Sequence, residues 1–409
     1  MTSVEEHASR VAALLEPALR TAQLTDNLPL LAALGRVIAR PVLSPVDLPL
    51  FRNSQMDGFA VHSTDVADVP VRLPIVGDIP AGPSTPSPLA AGTAVRIMTG
   101  AVVPDGADCV VPVEDVELEP GTGTHELEGA TAIILVGRAS GDFVRDRASD
   151  LATGDQLLPA GQVLGPRHLA ALAAAGLTTV PVRRRVRVAV ISTGSELVAP
   201  GDAVSAGQIF DSNLVALSAA VEEAGAELVL AERSTDDLDV FRAILARATT
   251  AADLVITSGG TSEGAYEVVR EVVGPLGATV GHVAMQPGGP QATAVVDGTP
   301  VLCFPGNPVS TQVSFAIFAR PLLLAAAGRD SGGPENHPLA TDLVSIVGKR
   351  QFFRGRLTTD NHGTDDTVEL VSGASSHLVA AMARAEVLLD IPAEVTTLRA
   401  GERVRVWSL

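Results

Sequence analysis

The sequence predicts a multi-domain α/β protein: a split helical/β domain, an inserted β domain, a central three-layer α/β domain and a C-terminal β-barrel. Three observations carry this. At 409 residues the chain is too long for one ordinary core. From Arg187 onward, short apolar runs alternate with helical patterns, which implies a mostly parallel sheet covered on both faces. Between Pro41 and Gly137, prolines and glycines recur every few residues among short alternating runs, as in an all-β module with many turns.

In chain order, the first 40 residues read as helical. Ser3 and Glu6 have capping-box spacing, and Val4, Val11, Leu14 and Leu15 fall on one face. Pro17 is expected to kink or end this helix, and a second short helix is expected over Leu28–Ala39. Val71–Val76, Ala94–Met98 and Cys109–Val113 are strand candidates of the β module. A helix over Arg167–Ala175, ended by Gly176, is similar in character to the N-terminal segment, so the β module reads as an insertion in a split first domain. The central domain is expected to run strand Val188–Ile191, helix Asn213–Ala224 closed by Gly225, strand Leu228–Leu230 and helix Leu238–Ala248. Strand Leu254–Thr257, helix Ala265–Val273, strand Val301–Phe304 and a helix from Val309 follow. After about Gly328, a Gly/Pro linker leads to short strands through Leu409.

Composition narrows the function. The formal charge of −18, from 29 basic and 47 acidic residues, argues against general nucleic-acid binding, which needs basic surface. The one basic cluster, Arg183, Arg184, Arg185 and Arg187, reads as a solvated entry into the next strand. Two cysteines, Cys109 and Cys303, are too few for a disulfide framework, and neither has metal-ligand spacing. No uncharged apolar run reaches the roughly 18 residues of a membrane span; the best, Phe315–Ala327, is broken by Arg320 and Pro321. No secretory signal is expected, and a soluble cytoplasmic protein is the simplest expectation.

The chemistry concentrates at three strand ends: Ile191-Ser-Thr-Gly-Ser-Glu196, Ile256-Thr-Ser-Gly-Gly-Thr-Ser-Glu-Gly264 and Phe304-Pro-Gly-Asn-Pro308. Glycines let backbone N–H groups approach an anion, and a following helix N-terminus adds positive potential. Thr193, Ser258, Thr261 and Ser262 add hydroxyls. Each loop alone is equally a tight turn; three at one sheet edge, where α/β sheets bind ligands, point to a phosphate-bearing small molecule. Glu196, Asp211, Asp236 and Asp237 lie along the same edge and suggest a bridging Mg²⁺. Helix N-capping is the alternative for Asp236 and Asp237. In the β module, Phe51–Ala60, with Asp57-Gly58, and Arg96–Ala101, with Thr99, read on their own as hairpin elements.

The strings Asn53-Ser-Gln-Met-Asp-Gly-Phe-Ala60, Arg96-Ile-Met-Thr-Gly-Ala101, Ser192-Thr-Gly-Ser-Glu-Leu197, Gln208-Ile-Phe-Asp-Ser-Asn213, Ser258-Gly-Gly260 and Pro305-Gly-Asn-Pro-Val-Ser310 resemble the MoeA proteins and the related gephyrin E domain. The resemblance is collinear from Leu28 to Leu409. It implies an elongated homodimer with a split dimerisation domain over 1–44 and 138–180 and an inserted β domain over 45–137. It further implies a MogA-like, molybdopterin-binding α/β domain over 181–330 and a C-terminal β-barrel over 338–409. The implied activity is insertion of molybdate into adenylylated molybdopterin with release of AMP, in a cleft between the β domain of one subunit and the α/β domain of the other. By the same resemblance, Asp57, Thr99, Asp150, Glu196 and Asp236 match catalytic positions, and Asp57, Glu196 and Asp236 are candidates to hold Mg²⁺. Thr193, Gly194, Ser195, Ser258, Gly259, Gly260, Thr261 and Ser262, then Pro305, Gly306, Asn307, Pro308 and Ser376, match positions around the pterin and phosphates. Arg354 and His377 match further polar positions.

The chain departs from the family pattern at several points. The usual Lys-Pro-Gly-Lys-Pro reads Gln286-Pro-Gly-Gly-Pro290, which removes two cationic donors. The usual Gly-Glu-Asp reads Ala148-Ser-Asp150, Ser195 stands where an acid is common, Gln55 where alanine is usual, and Glu267 where an aspartate is usual. Similar variants occur among actinobacterial members. Gephyrin opens a second expectation: a catalytically weakened scaffold that binds a short peptide tail of a cytoskeletal or division protein, for example the tubulin-like FtsZ.

Overall fold

A computed structural model describes residues 1–121, 127–260, 268–330, 332–359 and 366–409. They fall into two compact units, Met1–Asn27 with Pro181–Leu409, and Leu28–Val180.

The larger unit is organised by a six-stranded sheet in the order Glu227–Ser234, Arg187–Thr193, Leu254–Ser258, Thr299–Phe304, Pro290–Val296 and Thr279–His282. The first four strands are parallel, and the last two are antiparallel additions. Val188–Ile191 and Leu254–Ile256 are buried throughout because both sheet faces are covered. On one face Val188, Val190, Ile256 and Phe304 pack with helix Ser212–Glu223 and with Val309–Phe318. On the other, Ala189, Ile191, Val255 and Cys303 pack with helices Leu238–Ala251 and Val268–Val273. The alternation of side chains along the strands thus yields the three layers read from the sequence. The antiparallel pair was not foreseen: Gly, Pro and small residues across 279–296 give no strand signal strong enough to read.

Helix Val4–Arg20 opens with the expected capping box, Ser3 and Glu6 exchanging bonds of 3.0 and 3.1 Å. Pro17 does not end the helix, because it lies in the last turn, where little helix remains to lose. The apolar face of this helix enters the core of the larger unit: Val11 and Leu15 are fully buried, and His7 meets Phe318 edge-on at 4.7 Å. Burial, aided by Arg10, pushes the His7 imidazole down to about 4. The first 27 residues therefore group with 181–409 rather than with 28–44 and 138–180, with which the sequence had associated them. No helix covers Leu28–Ala39. Strand Thr25–Pro29 and a 3₁₀ turn, Leu30–Ala33, occupy the segment, and the residue before Pro29 is biased to extended backbone.

Pro308–Ala326 forms one helical run, long and apolar enough by composition to cross a membrane, with 67% of that stretch buried within the protein. Arg320 and Pro321 interrupt the apolar run, as read from the sequence, but not the helical path. A π turn, Phe315–Ala319, precedes Pro321 and absorbs its missing N–H. The C-terminal residues form a second sheet, running Met285–Gln286, Arg350–Thr359, Val387–Ile391, Arg403–Ser408 and Glu335–Pro338, with Asp366–Ser372 on the free edge of Arg350–Thr359. One isolated bridge, Leu339↔Val368, joins the two ends of this path; the closure expected of a barrel is limited to it among the described residues.

The smaller unit carries a six-stranded sheet, ordered Cys109–Pro112, Gly58–Val61, Ala94–Ile97, Val71–Ile79, Thr131–Ile134 and Val116–Glu119. Helix Pro166–Ala174 lies where the sequence predicts it, and Gly176 follows in left-handed backbone at φ +76.

Candidate functional site

The register Ser192↔Ser258 and Ser258↔Phe304 brings all three strand-end loops to one edge of the larger sheet. There they bound a cleft of about 470 Å³ whose lining includes Glu196, Asp211, Asn213 and Asp236. Beneath it lies a buried polar scaffold. Asn213, 8% exposed, donates to Ser258 Oγ at 2.8 Å and to the Gly306 carbonyl at 2.7 Å, tying two loops to the start of helix Ser212–Glu223. Asp211 caps that helix at Leu214 N–H, 3.0 Å, and accepts the Ser192 hydroxyl. Thr193 Oγ1 donates to the Ser258 carbonyl at 3.4 Å. A Cβ on Gly259, at φ +98, would stand 2.5 Å from the Thr193 carbonyl oxygen, so this close approach requires glycine.

The loops do not all offer their amides outward, as the sequence suggested. Gly194 N–H donates to Ser234 O, Gly259 N–H to Phe304 O, and Ser195 N–H to Asp236 Oδ2 at 3.0 Å. Among the described residues, the N–H groups of Gly306 and Asn307 have no acceptor, and they stand at the N-terminus of the helical run from Pro308. Glu196 N–H in the first loop is likewise without an acceptor among the described residues, so outward donors come from the first and third loops, while Gly194, Ser195 and Gly259 brace the edge. Thr261 and Ser262, with Glu267, lie outside the described residues.

The acidic pair separates in role. Asp237 is the N-cap of Leu238–Ala251, accepting from Asp239 and Val240 N–H, whereas Asp236 turns back to Ser195, whose hydroxyl accepts Asp236 N–H at 3.1 Å. Ser195 thus fits its position without an acid. Glu196 folds over Gly194, whose Cβ would collide with the carboxylate. Among the described residues no group of three or more acidic, histidine or cysteine side chains forms a metal cluster.

Ser376 reaches the third loop through its carbonyl, which accepts Val309 N–H at 3.1 Å. Arg354 is fully buried behind the same segment, donating to Ser372 Oγ at 3.1 Å and the Ser375 carbonyl at 2.9 Å. Burial lowers its pKa, and no carboxylate pairs with it among the described residues. The two positions where cations were missing have structural occupants. Gln286 Oε1 accepts from Gln351 Nε2 at 2.6 Å, and a Cβ on Gly289 would stand 2.4 Å from His282 Nε2. The basic cluster is ion-paired, Arg184 and Arg187 with Asp253 and Arg185 with Glu222.

In the smaller unit, Asp57 Oδ1 accepts both the N–H and the hydroxyl of Thr99, at 2.7 Å each. These two bonds hold the carboxyl below the usual carboxylate range. Asp150 is exposed on the turn after Val144–Arg145, a strand that pairs with Asn53–Ser54 just before Asp57. The structure therefore brings Glu196 and Asp236 together in one unit, and Asp57, Thr99 and Asp150 onto neighbouring segments of the other. Sequence reasoning missed Asn213 as a brace; it had quoted the residue in a motif, without a signal for its two partners.

A second groove of about 490 Å³ lies in the larger unit between the start of the first helix and the C-terminal sheet. At its base Asp390, 1% exposed, accepts from Arg350 Nε and Nη2 at 2.5 Å each and from Trp407 Nε1 at 3.0 Å. Burial favours the neutral acid, but Arg350 outweighs it and keeps the carboxyl below its usual range.

Three family descriptions match the chain in succession: MoeA N-terminal region (domain I and II) over residues 2–176, Probable molybdopterin binding domain over 189–325, and MoeA C-terminal region (domain IV) over 336–409. Molybdopterin molybdenumtransferase 2 of Mycobacterium tuberculosis is 42% identical over 423 aligned positions, covering 100% of both chains. Molybdopterin molybdenumtransferase of Nostoc sp. is 36% identical over 100% of this chain and 94% of its own. Among solved structures, a molybdopterin biosynthesis MoeA protein from Pyrococcus horikoshii superposes with TM-score 0.76 at 33% identity, covering 96% of this chain and 98% of that one.

Proposed function

The chain belongs to the MoeA family, and from that premise we propose that it is a molybdopterin molybdenumtransferase of molybdenum cofactor biosynthesis. The observation that carries the proposal is the cleft at the sheet edge, whose lining joins two carboxylates, Glu196 and Asp236, with the unspent amides of Gly306 and Asn307. The amides and the helix N-terminus behind them would bind the phosphates of adenylylated molybdopterin. The same donors would stabilise charge that builds as the pyrophosphate bond breaks and AMP departs. Molybdate is the second substrate, and Arg354, buried behind the segment that carries Ser376, would set the positive potential of that side without touching it.

Mg²⁺ fits the donor set, since it is commonly held by one or two carboxylates together with substrate phosphates. Glu196 and Asp236 would hold it in this cleft, and it would offset phosphate charge there. By the family resemblance, Asp57 and Thr99 of the β domain and Asp150 of the split domain would also contribute, in a cytoplasmic homodimer. The test is AMP release by the purified full chain from adenylylated molybdopterin, Mg²⁺ and molybdate. Turnover is expected, with a loss of roughly 100-fold or more in Glu196→Ala; no AMP release at any molybdate concentration would refute the proposal.

A peptide-binding role draws no support from the names of the curated relatives, and the second groove adds none: its Arg350, Arg403 and Arg405 stand among Glu5, Asp390 and Glu394, and Arg350 and Arg405 are already paired with Asp390.

A further inference from the structure

Asp150 is exposed, and among the described residues its carboxylate makes no hydrogen bond, so its direction is set by the turn that carries it. That turn is not a relaxed one. Ala148 sits in left-handed backbone at φ +61, which costs a non-glycine residue on the order of 1–3 kcal/mol and persists only where neighbours impose it. The neighbours are the residues around Asp47. Ala148 N–H donates to Pro49 O at 3.1 Å, Asp150 N–H to Leu48 O at 2.9 Å, and Leu48 N–H to Leu151 O at 2.8 Å. Leu151 N–H also donates to Leu48 O and Ser149 N–H to Asp146 O, and the side-chain contacts of Arg147 and Thr153 end on one carboxylate. Asp47 Oδ1 accepts the N–H and the hydroxyl of Thr153, each at 2.7 Å, while Oδ2 accepts Arg147 Nε–H. Arg147 and Thr153 bracket Asp150 on either side, so this single group clamps both ends of the turn. Its side chain is 14% exposed.

We propose that Asp47 is the positioning residue for Asp150, touching no substrate itself but fixing the 147–153 turn in the form that presents the Asp150 carboxylate. The proposal rests on Asp150 being part of the molybdenumtransferase site. The clamp is constant over the physiological range, because the Thr153 hydroxyl and N–H, with Arg147, hold the Asp47 carboxyl down at about 2.

The experiment is a double-mutant cycle on the full chain, reading kcat and KM for AMP release beside the thermal midpoint. Asp47→Ala is expected to lower kcat roughly 10- to 100-fold with KM nearly unchanged, the scale of a misplaced group. The double variant with Asp150→Ala should be no slower than Asp150→Ala alone, because the two act as one unit. Asp47→Asn, which keeps a carbonyl acceptor for Thr153, should recover part of the loss and serves as the probe if the alanine variant fails to fold. Full kcat in Asp47→Ala or Asp47→Asn, or losses that multiply in the double variant, overturns the proposal. Full activity in Asp150→Ala alone would instead remove the premise, and that outcome is read separately in the same cycle.

Discussion

The two units hold their candidate residues in opposite ways. In the larger unit the loops rest on buried polar groups: Asn213, Ser192, Asp211 and Ser258 are all less than a tenth exposed, and each bonds to a loop, a strand end or a helix start. In the smaller unit the acidic residues are held at the surface by single carboxylate clamps, Asp57 on Thr99 and Asp47 on Thr153. Buried polar groups are costly when left unpaired, so the first arrangement ties function to folding. An exposed clamp such as Asp57–Thr99 contributes little to stability, so it leaves geometry adjustable without endangering the fold, whereas Asp47, with its side chain 14% exposed, lies between the two cases.

Gly259→Val should give the largest effect. The new side chain meets the Thr193 carbonyl and a φ of +98, and a loss of about 3 kcal/mol or more is expected together with activity. A guanidinium midpoint equal to that of the parent would break the comparison at its strongest point. Asn213→Ala comes next. It strips the Gly306 carbonyl and the Ser258 hydroxyl of a shared donor, and about 1–3 kcal/mol should be lost, with anion affinity falling in parallel. Thr99→Val should be the mildest for the fold: the melting curve stays put while activity falls roughly tenfold.

The same substitution sharpens the pH dependence. The folded pKa of Asp57 lies below its unfolded value, so the Asp57–Thr99 contribution is complete above the ordinary carboxylate range near 3.9. It is lost as pH falls through the lower folded value. In Thr99→Val the Asp57 titration, followed by carbon NMR, should move upward toward the ordinary value; an unmoved titration would show that the clamp does not set it.

Much of the larger half was legible in the sequence, because parallel strands buried on both faces write long apolar runs and their glycine loops follow at once. Val188–Ile191 and Leu254–Thr257 lie within the observed strands for that reason. What escaped was the bookkeeping of donors: nothing in Ser-Gly-Gly or Thr-Gly-Ser indicates that Gly259 and Gly194 bond inward while Gly306 and Asn307 do not. That depends on strand separation and register. The smaller half was less legible. Asp57 and Asp150 were singled out by resemblance, and Asp47 was invisible, because a carboxylate 106 residues from its partner leaves no local trace. The N-terminal helix was recognised as a helix, but its packing on the core of the larger unit was not, since an apolar stripe says that a helix must pack and not against what.

The pairing of His282 with Gly289 has a consequence for any side chain placed in this loop. A Cβ at 289 would stand 2.4 Å from His282 Nε2, so a lysine introduced there must first turn the imidazole aside. That ring ends an exposed side chain and is free to rotate, so the obstacle is a rotamer and not the backbone. The neutral character of the loop is therefore a matter of side-chain choice, open to change at the surface without rebuilding the strand beneath it.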